Sequence, residues 1–560
     1  MRRRDLSTLL IAAALPLPAL AQGQGVAPAQ AQGRAPVVQP GWEALLRLAA
    51  RLRQLDQDGL TPRHYDIPED ARAASDPQGY VAALYASAAA AMSDLLHGHV
   101  PEQAGRPDIR RDLTAQPIGQ WQSALYGSAE PAEVIERAAL LHPEMPALRL
   151  ALRAARARVE AGGWPSMPIG GTLDPGMEDA VRIPALRARL AAEDAVLAAA
   201  PDGGALYDAP LEEAVRRWQA AHSLEVDGRV GPMTQRLMNR PADTVVGQIR
   251  VAMDQRRGRG AAAPGRRIEV NIPEFRLRVM DGARQVTAMN VVVGKTARAT
   301  PTLAVRMTAV QFNPPWGVPE RNAREDLLPK FRRDPRAMME KGFRLFTVVG
   351  GERVEVDPMT VDWASVNPQR FPYIVRQDAS DVSALGRLKF VMPNGDDIYL
   401  HDTPDRHLFG RADRALSSGC IRLSQPMELL DLVLEGVPGW NRERAQRALD
   451  SRQTSFLSLP RAWPVRLAYE TVVVEQGQAR LLSDIYGLDA AYLRLLDQRR
   501  PAAAPAAPAQ TPVARSAAPA PREARSAPAT APAPTRQASA TPVRAEPGAA
   551  PLSPPATTIE

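Results

Sequence analysis

Cysteine is nearly absent from this 560-residue chain, and the single one, Cys420, sets the first limits on what it can be. One thiol cannot pair within its own chain, which excludes a disulfide framework. With only seven scattered His beside it, no run has metal-ligand spacing, so neither a metal nor another cofactor is expected. Aromatic residues are also scarce, with 9 Phe and 10 Tyr against 53 Pro, so part of the chain stays unpacked. The net charge of +7 suits nucleic acid, a membrane surface or any anionic polymer, and alone decides between none of them. No Lys/Arg run is interleaved with aromatics, however, which argues against a nucleic-acid partner.

A long apolar run is missing from the start as well. Arg2, Arg3 and Arg4 precede an apolar stretch from Leu9 to Leu20 that Pro16 and Pro18 interrupt. It is shorter than the roughly 20 residues that span a bilayer. Ending in Ala19-Leu20-Ala21, residues 1–21 read as a cleavable export signal that leaves no integral membrane anchor. Arg3-Arg4-Asp5-Leu6 loosely resembles a twin-arginine signal, so the export route stays open. An unpaired Cys in an oxidising compartment is a liability, which points to a reactive role for Cys420.

Several domains are expected from the length. Residues 22–40 are an Ala/Gln/Gly/Pro leader. Over 41–200 apolar residues recur at helical spacing, as in Leu45, Leu48, Leu52 and Leu55 and again in Leu148 and Leu152, which predicts an all-helical scaffold. Asp56-Gln57-Asp58-Gly59 lacks the spaced ligands of a calcium loop and reads as a helix stop. Residues 201–242 carry a helix with Leu211, Val215, Trp218 and Gln219, an Asp227-Gly228 turn, and Thr234 placed to cap or start a last helix. A helix and an Arg-rich linker follow at 243–266.

Alternation from Ile268 to Ile272, Phe275 to Val279 and Val286 to Val293, with Asp281-Gly282 between, predicts a β domain over 267–425. Within it, 316–373 reads as an insertion with a charged helical stretch from Ala323 to Gly342. Residues 426–497 begin with a helix from Pro426 and continue as a C-terminal part of the β domain or the scaffold region. From 498 to 560 the Ala/Pro-rich composition cannot bury enough apolar surface to offset ordering entropy, so a disordered tail is expected.

The chemistry concentrates between His401-Asp402-Thr403-Pro404 and Ser417-Ser418-Gly419-Cys420-Ile421-Arg422. A free thiol with pKa ~8.5 is mostly protonated at neutral pH, and a nucleophilic Cys needs a base or a positive field that lowers it. His401 follows the strand Ile398-Tyr399-Leu400, a rigid support, and a loop can return Cys420 beside it. Gly419 permits a tight turn that would aim the N–H groups of Ser418, Gly419 and Cys420 at one point. Such an oxyanion hole contributes about 2.7 to 4 kcal/mol per donor.

At these residues the sequence resembles the L,D-transpeptidase family, and more closely its long Gram-negative form with Ser-Ser-Gly-Cys. Residues 201–242, through Trp218-Gln219, Asp227-Gly228 and Gly231 to Thr234, resemble the small three-helix peptidoglycan-binding module of wall enzymes. The resemblance spans roughly Trp42 to Gly487. It implies an α+β multidomain fold: a β-sandwich-like catalytic domain with a helical cap insertion, an all-α scaffold and the three-helix module. It further implies a periplasmic enzyme acting on stem peptides and glycan strands, alongside other wall-synthesis proteins, with a part in cell shape.

In that scheme Cys420 attacks the third stem residue and expels D-alanine, His401 takes the thiol proton, and the Asp402 carbonyl orients the imidazole. An amine of a second stem resolves the thioester as a 3→3 cross-link. Arg422, Tyr399 and Ser417 would contact substrate, with a plain salt bridge the alternative for Arg422 and simple packing for Tyr399. Ser418 stands where shorter members carry His, and His407 is a candidate to stand in. The insertion would act as a lid, and carbapenems would acylate Cys420. Two other readings stay open: the same Cys–His pair serving an L,D-carboxypeptidase or other hydrolase, and a non-catalytic wall-binding scaffold.

Overall fold

The computed structural model describes residues 40–500 apart from 104, 223 and 261–263. The expected export signal, all but the last residue of the leader, and the tail from 501 onward lie outside the described residues.

Helix α1 (Trp42–Arg53) buries Leu45, Leu48, Ala49 and Leu52 on one face, as their spacing requires. It stops in the 3-10 turn Leu55–Asp58, closed by Gly59 at φ 76°, a backbone that L side chains rarely adopt. Asp58 is fully buried there and pairs with Arg51 at 2.7 Å and with Arg149. Helices α2 (Arg72–Ser75), α3 (Pro77–His97), α4 (Ile118–Gly127) and α5 (Pro131–Ala139) complete this cluster around Leu48, Tyr80, Leu84 and Ile135. Among the described residues α3 alone is long and apolar enough to cross a membrane, and here it packs inside the cluster.

After α6 (Met145–Glu160), helices α7 (Arg182–Ala191), α8 (Ala195–Ala198), α9 (Ala209–Ala221) and α10 (Pro232–Met238) share a separate core from Met167 to Met238. The boundary expected at 200/201 therefore falls inside one core. An apolar stripe on a helix such as Ile183, Leu186 and Leu190 does not say which neighbour covers it. Gln219 closes the Asp227-Gly228 turn: its Oε1 accepts the Gly228 N–H at 2.9 Å and its Nε2 donates to Asp227 at 2.8 Å. Thr234 is buried inside α10 and does not cap it, because the helix starts at Pro232 after Gly231.

Helix α11 (Ala242–Arg256) packs on α6 through Val245, Ile249 and Met253. The linker expected after it is partly a packed junction. Arg256 and Arg257 are buried, Arg256 pairing with Glu144 and Arg257 donating to the Asp58 carbonyl. Arg-rich composition reads as solvated until each guanidinium is seen to have an internal acceptor.

Strands β1 (Arg266–Asn271), β2 (Arg276–Asp281), β3 (Arg284–Gly294) and β4 (Leu303–Phe312) open the β domain. An insertion follows with β5 (Trp316–Val318), α12 (Glu320–Asn322), a π turn at Ala323–Leu327, α13 (Leu328–Arg333), α14 (Pro335–Glu340), β6 (Phe343–Val349), β7 (Glu352–Val356) and β8 (Ile374–Gln377). It is not purely helical: β5-β8-β6-β7 form a four-stranded antiparallel sheet over Leu328, Phe331 and Leu345. The hairpin turns at Gly350-Gly351, both at positive φ, between the runs Phe343–Val349 and Glu352–Val356, a local hairpin signal that the sequence reading did not use.

The main sheet resumes with β9 (Leu388–Val391), β10 (Leu400–His401), β11 (Ala415–Ser417) and β12 (Ile421–Leu423). Helices α15 (Pro426–Leu434) and α16 (Arg442–Asp450) pack on it through Leu429, Leu430, Val433 and Leu449. Then β13 (Ser455–Ala468) inserts between β4 and β1. The β domain therefore does not end at 425, and part of 426–497 belongs to it. A strand more than 140 residues after its partners completes its sheet, parallel to β1 and antiparallel to β4.

The order is β11-β3-β12-β10-β9-β4-β13-β1-β2, and β2 also pairs with β3. The sheet thus closes on itself around Val270, Leu277, Val291, Val310, Phe390 and Leu400, and is one mixed closed sheet where a sandwich of two was expected. Closure follows from the length of β3, which pairs with β2 over Arg284–Asn290 and with β12 at Val291 and Val292. The hairpin β14 (Val472–Glu475) and β15 (Gln478–Leu481) packs on α6 and α11, and α17 (Leu488–Leu496) covers α11.

Candidate active site around Cys420 and His401

His401 ends β10 and Cys420 immediately precedes β12. The two strands pair in parallel, with Leu400 opposite Ile421 and His401 opposite Arg422. The Ile421 N–H donates to the Tyr399 carbonyl at 3.1 Å, so the ladder reaches back to the residue after Cys420. With strands ~4.8 Å apart and ~3.3 Å of rise per residue, the Cα atoms of His401 and Cys420 lie about 8 Å apart, a span that a thiol and an imidazole can bridge. Sequence separation gave the loop its length; strand pairing brings its two ends together.

The imidazole is buried, and its Nδ1–H donates to the Asp402 carbonyl at 2.5 Å, which leaves the Nε2 lone pair as the acceptor. Burial lowers its pKa most. The Arg422 and Lys389 charges lower it further, against the Asp402 and Leu385 carbonyls, and the outcome is about 3. The ring is therefore neutral near pH 7. It can take a proton from the thiol, but it supplies no standing positive charge to hold a thiolate at rest, as the expected lowering of the thiol pKa requires.

Cys420 is buried, its Sγ 3.6 Å from the Asp397 carbonyl. Gly419 precedes it at φ 126°, and a Cβ there would lie 3.3 Å from the Ile398 side chain. The Ser417 hydroxyl donates to the Cys420 carbonyl at 2.6 Å and accepts the Gly419 N–H at 3.1 Å. Of the three amides expected to face an oxyanion, that of Gly419 is turned inward. Ser417, expected to touch substrate, is instead a buried brace of the turn.

Asp402 is fixed on both its groups. Its carboxylate accepts the Arg387 N–H at 2.9 Å and the Thr403 N–H at 2.8 Å, and it pairs with Arg406. Arg422 donates to Asp405 at 2.9 Å, so the salt bridge, not an open clamp, is what forms. Tyr399 is packed: its ring meets that of His401 edge-on at 5.6 Å, and the Lys389 ammonium lies 3.8 Å from its centroid. Sequence places these polar residues near the nucleophile but cannot name the internal partner each one takes. His407 is exposed on the 3-10 turn Arg406–Gly410.

Three residues at this site carry weight that sequence reading missed. Thr300 Oγ1 donates to the Gly419 carbonyl at 2.6 Å and accepts the Gly294 N–H at 2.8 Å. Arg298, buried on the 3-10 turn Thr296–Arg298, donates to Ser418 Oγ at 2.8 Å and to Asn322 at 3.0 Å, and pairs with Glu325 at 2.5 Å and with Asp326. Both lie more than a hundred residues before Cys420, in a short polar loop with no local signal. Lys389 did have one: a Lys between Leu388 and Phe390 in a buried strand.

Among the described residues no group of three or more His, Cys, Asp or Glu could hold a metal ion. A cavity of about 1660 Å³ lies elsewhere, between the loop residues around Ile109 and His142 and residues of β1, β4 and β13, and shares no residue with this site.

Residues 265–440 match the model of the YkuD family, the L,D-transpeptidase catalytic domain, and 184–238 match that of the putative peptidoglycan binding domain. A curated protein of Haemophilus influenzae described as "Putative L,D-transpeptidase" is 41% identical over 222 residues, which cover 40% of this chain and 44% of that protein. The chain thus matches less than half the length of that relative. Solved L,D-transpeptidase structures from Xylanimonas cellulosilytica and Stackebrandtia nassauensis are 14% and 11% identical. Each covers 54% of this chain, with 98% and 97% of their own chains aligned, but TM-scores of 0.15 and 0.18 carry no argument about fold.

Proposed function

We propose that this chain, with its L,D-transpeptidase catalytic domain at 265–440 and its peptidoglycan-binding domain at 184–238, joins peptidoglycan stem peptides through a thioester on Cys420. The observation that carries this is the pairing of β10 with β12. It sets Cys420 next to a buried imidazole whose Nδ1–H is pinned by the Asp402 carbonyl, so that Nε2 is the proton acceptor.

Cys420 Sγ attacks the carbonyl carbon of the third stem residue while its proton passes to His401 Nε2. The oxyanion collapses, the C–N bond to D-alanine breaks, and the imidazolium returns its proton to the leaving amine. An imidazolium so strongly disfavoured by burial gives that proton up readily. The side-chain amine of a second stem then attacks the thioester, the C–S bond breaks, and a 3→3 amide and a free thiol result. The insertion at 316–377 serves as the lid that keeps water from competing, in a periplasmic enzyme exported through residues 1–21.

Incubation with purified tetrapeptide muropeptides tests this by mass spectrometry. Cross-linked dimers and released D-alanine are expected, both lost in Cys420→Ala. Tripeptides without dimers would reassign the pair to a carboxypeptidase. Failure of a thiol-reactive probe to label Cys420 above a denatured control would leave only a wall-binding scaffold.

A further inference from the structure

Among the described residues Arg298 hydrogen-bonds both to the insertion and to the nucleophile turn. Its side chain is 3% exposed, and its contacts divide between two bodies. On the insertion side it meets Asn322 at 3.0 Å, Glu325 at 2.5 Å, and Asp326 through both terminal nitrogens. On the other side Nη1 donates to Ser418 Oγ at 2.8 Å, two residues from the nucleophile. The Arg298 carbonyl also borders Gly419, 4.0 Å from where a Cβ would stand. The turn itself has little other support at Ser418, because Ser417 and Thr300 brace only its flanks at Gly419 and Cys420.

We propose that Arg298 is a positioning residue that couples the insertion to the nucleophile turn, holding the Ser418–Cys420 backbone in its reactive shape only while Glu325 and Asp326 hold Arg298. The geometry fits that role better than a purely structural one. A planar guanidinium with fixed donor directions transmits orientation, and its donors are shared among four acceptors on the two bodies. Displacing the insertion removes the carboxylates and leaves Arg298 free to leave Ser418. The inference rests on Cys420 acting by acyl transfer, as proposed above.

The test separates backbone positioning from bare thiol reactivity. An acyl probe, a carbapenem, forms an oxyanion and needs the turn in register; iodoacetamide alkylates the thiol through no oxyanion. Both rates on Cys420 are followed by intact-protein mass spectrometry in the full chain. In Arg298→Ala acylation is expected to fall about 100-fold, the effect of roughly 1 Å of misplacement, with alkylation within about 2-fold of the parent. Arg298→Lys, which keeps the charge but not the fork, should recover only part of the rate. Ser418→Ala should reproduce most of the loss, and the double variant should lose no more than either single one.

Should Arg298→Ala fail to fold, Glu325→Gln with Asp326→Asn serves in its place, since both carboxylates are partly exposed. It is expected to show the same split between the two probes. Equal loss with both probes, no loss with either, or additive effects of the two single variants would overturn the coupling. Absence of any reaction at Cys420 in the parent would instead overturn the acyl-transfer proposal.

Discussion

Acidification from pH 7 to pH 5 separates the buried imidazole described above from an ordinary one. At a pKa of 6.5, His401 would be about three-quarters neutral at pH 7 and about 3% neutral at pH 5, so a reaction needing it as a base would slow about 25-fold. The folded protein instead holds His401 near 3, with burial the main cause and the Arg422 charge second. The sign follows: the depressed group stays unprotonated as pH falls, so at pH 5 it is still almost wholly the base.

Carbapenem acylation of Cys420, followed by intact mass in buffers of matched ionic strength, is therefore expected to change less than about 2-fold over that interval. Between about 6.5 and 3 the unfolded chain binds a proton that the folded chain refuses, so stability from this group is lost as pH falls through that window. Circular dichroism at each pH identifies where unfolding, not titration, limits the rate. An acid limb with its midpoint near 6.5 in still-folded protein would refute the account of His401. Arg422→Gln, which removes the second cause and leaves burial, should raise the midpoint yet keep it below 6.5.

Gly386 stands at φ 59° with a hypothetical Cβ 2.4 Å from Asp402 Cγ; Gly386→Ala should displace Asp402, loosen the carbonyl that pins His401, and slow acylation about 10- to 100-fold while near-UV dichroism of the folded chain persists. Asp254 is fully buried and joins three segments through the His99 N–H at 2.6 Å, Arg111 at 3.0 Å and Tyr492 at 2.7 Å. Burial alone would raise its pKa, but the Arg111 and Arg257 charges and the His99 amide outweigh that and hold it below the ordinary carboxylate value. Asp254→Ala strands those arginines and should lower the unfolding free energy by about 3 to 5 kcal/mol, read from denaturant titration, with carbapenem acylation of the folded fraction unchanged. Gly419→Ala, strained at φ 126° and crowded by Ile398, should abolish detectable acylation while leaving the unfolding midpoint within a few degrees.

Much of the architecture was legible because it is written in local periodicity. The apolar stripe of α1 and the β2–β3 hairpin around Asp281-Gly282 are where alternation and turn residues put them, while the strand expected over Ile398–Leu400 is only Leu400–His401. Residues whose roles depend on distant partners were not legible. Nothing near Ser455 says that β13 slots between β4 and β1, and nothing near Arg298 points to Ser418. Polar neighbours of the nucleophile were over-read as substrate contacts, because a sequence shows that Ser417 and Arg422 are near Cys420 but not that each already has a bond.

By itself the sequence determined which candidate groups are present: one thiol, one imidazole at the end of a strand, and a glycine before Cys420, since chemical identity and short-range geometry need no tertiary partner. The tertiary structure decided their state. Closing the sheet buries His401 and drives its pKa down, strand pairing fixes its distance from Cys420, and a guanidinium from over a hundred residues away braces the turn. Dielectric environment and long-range contact belong to the folded chain as a whole, and no window of residues contains them.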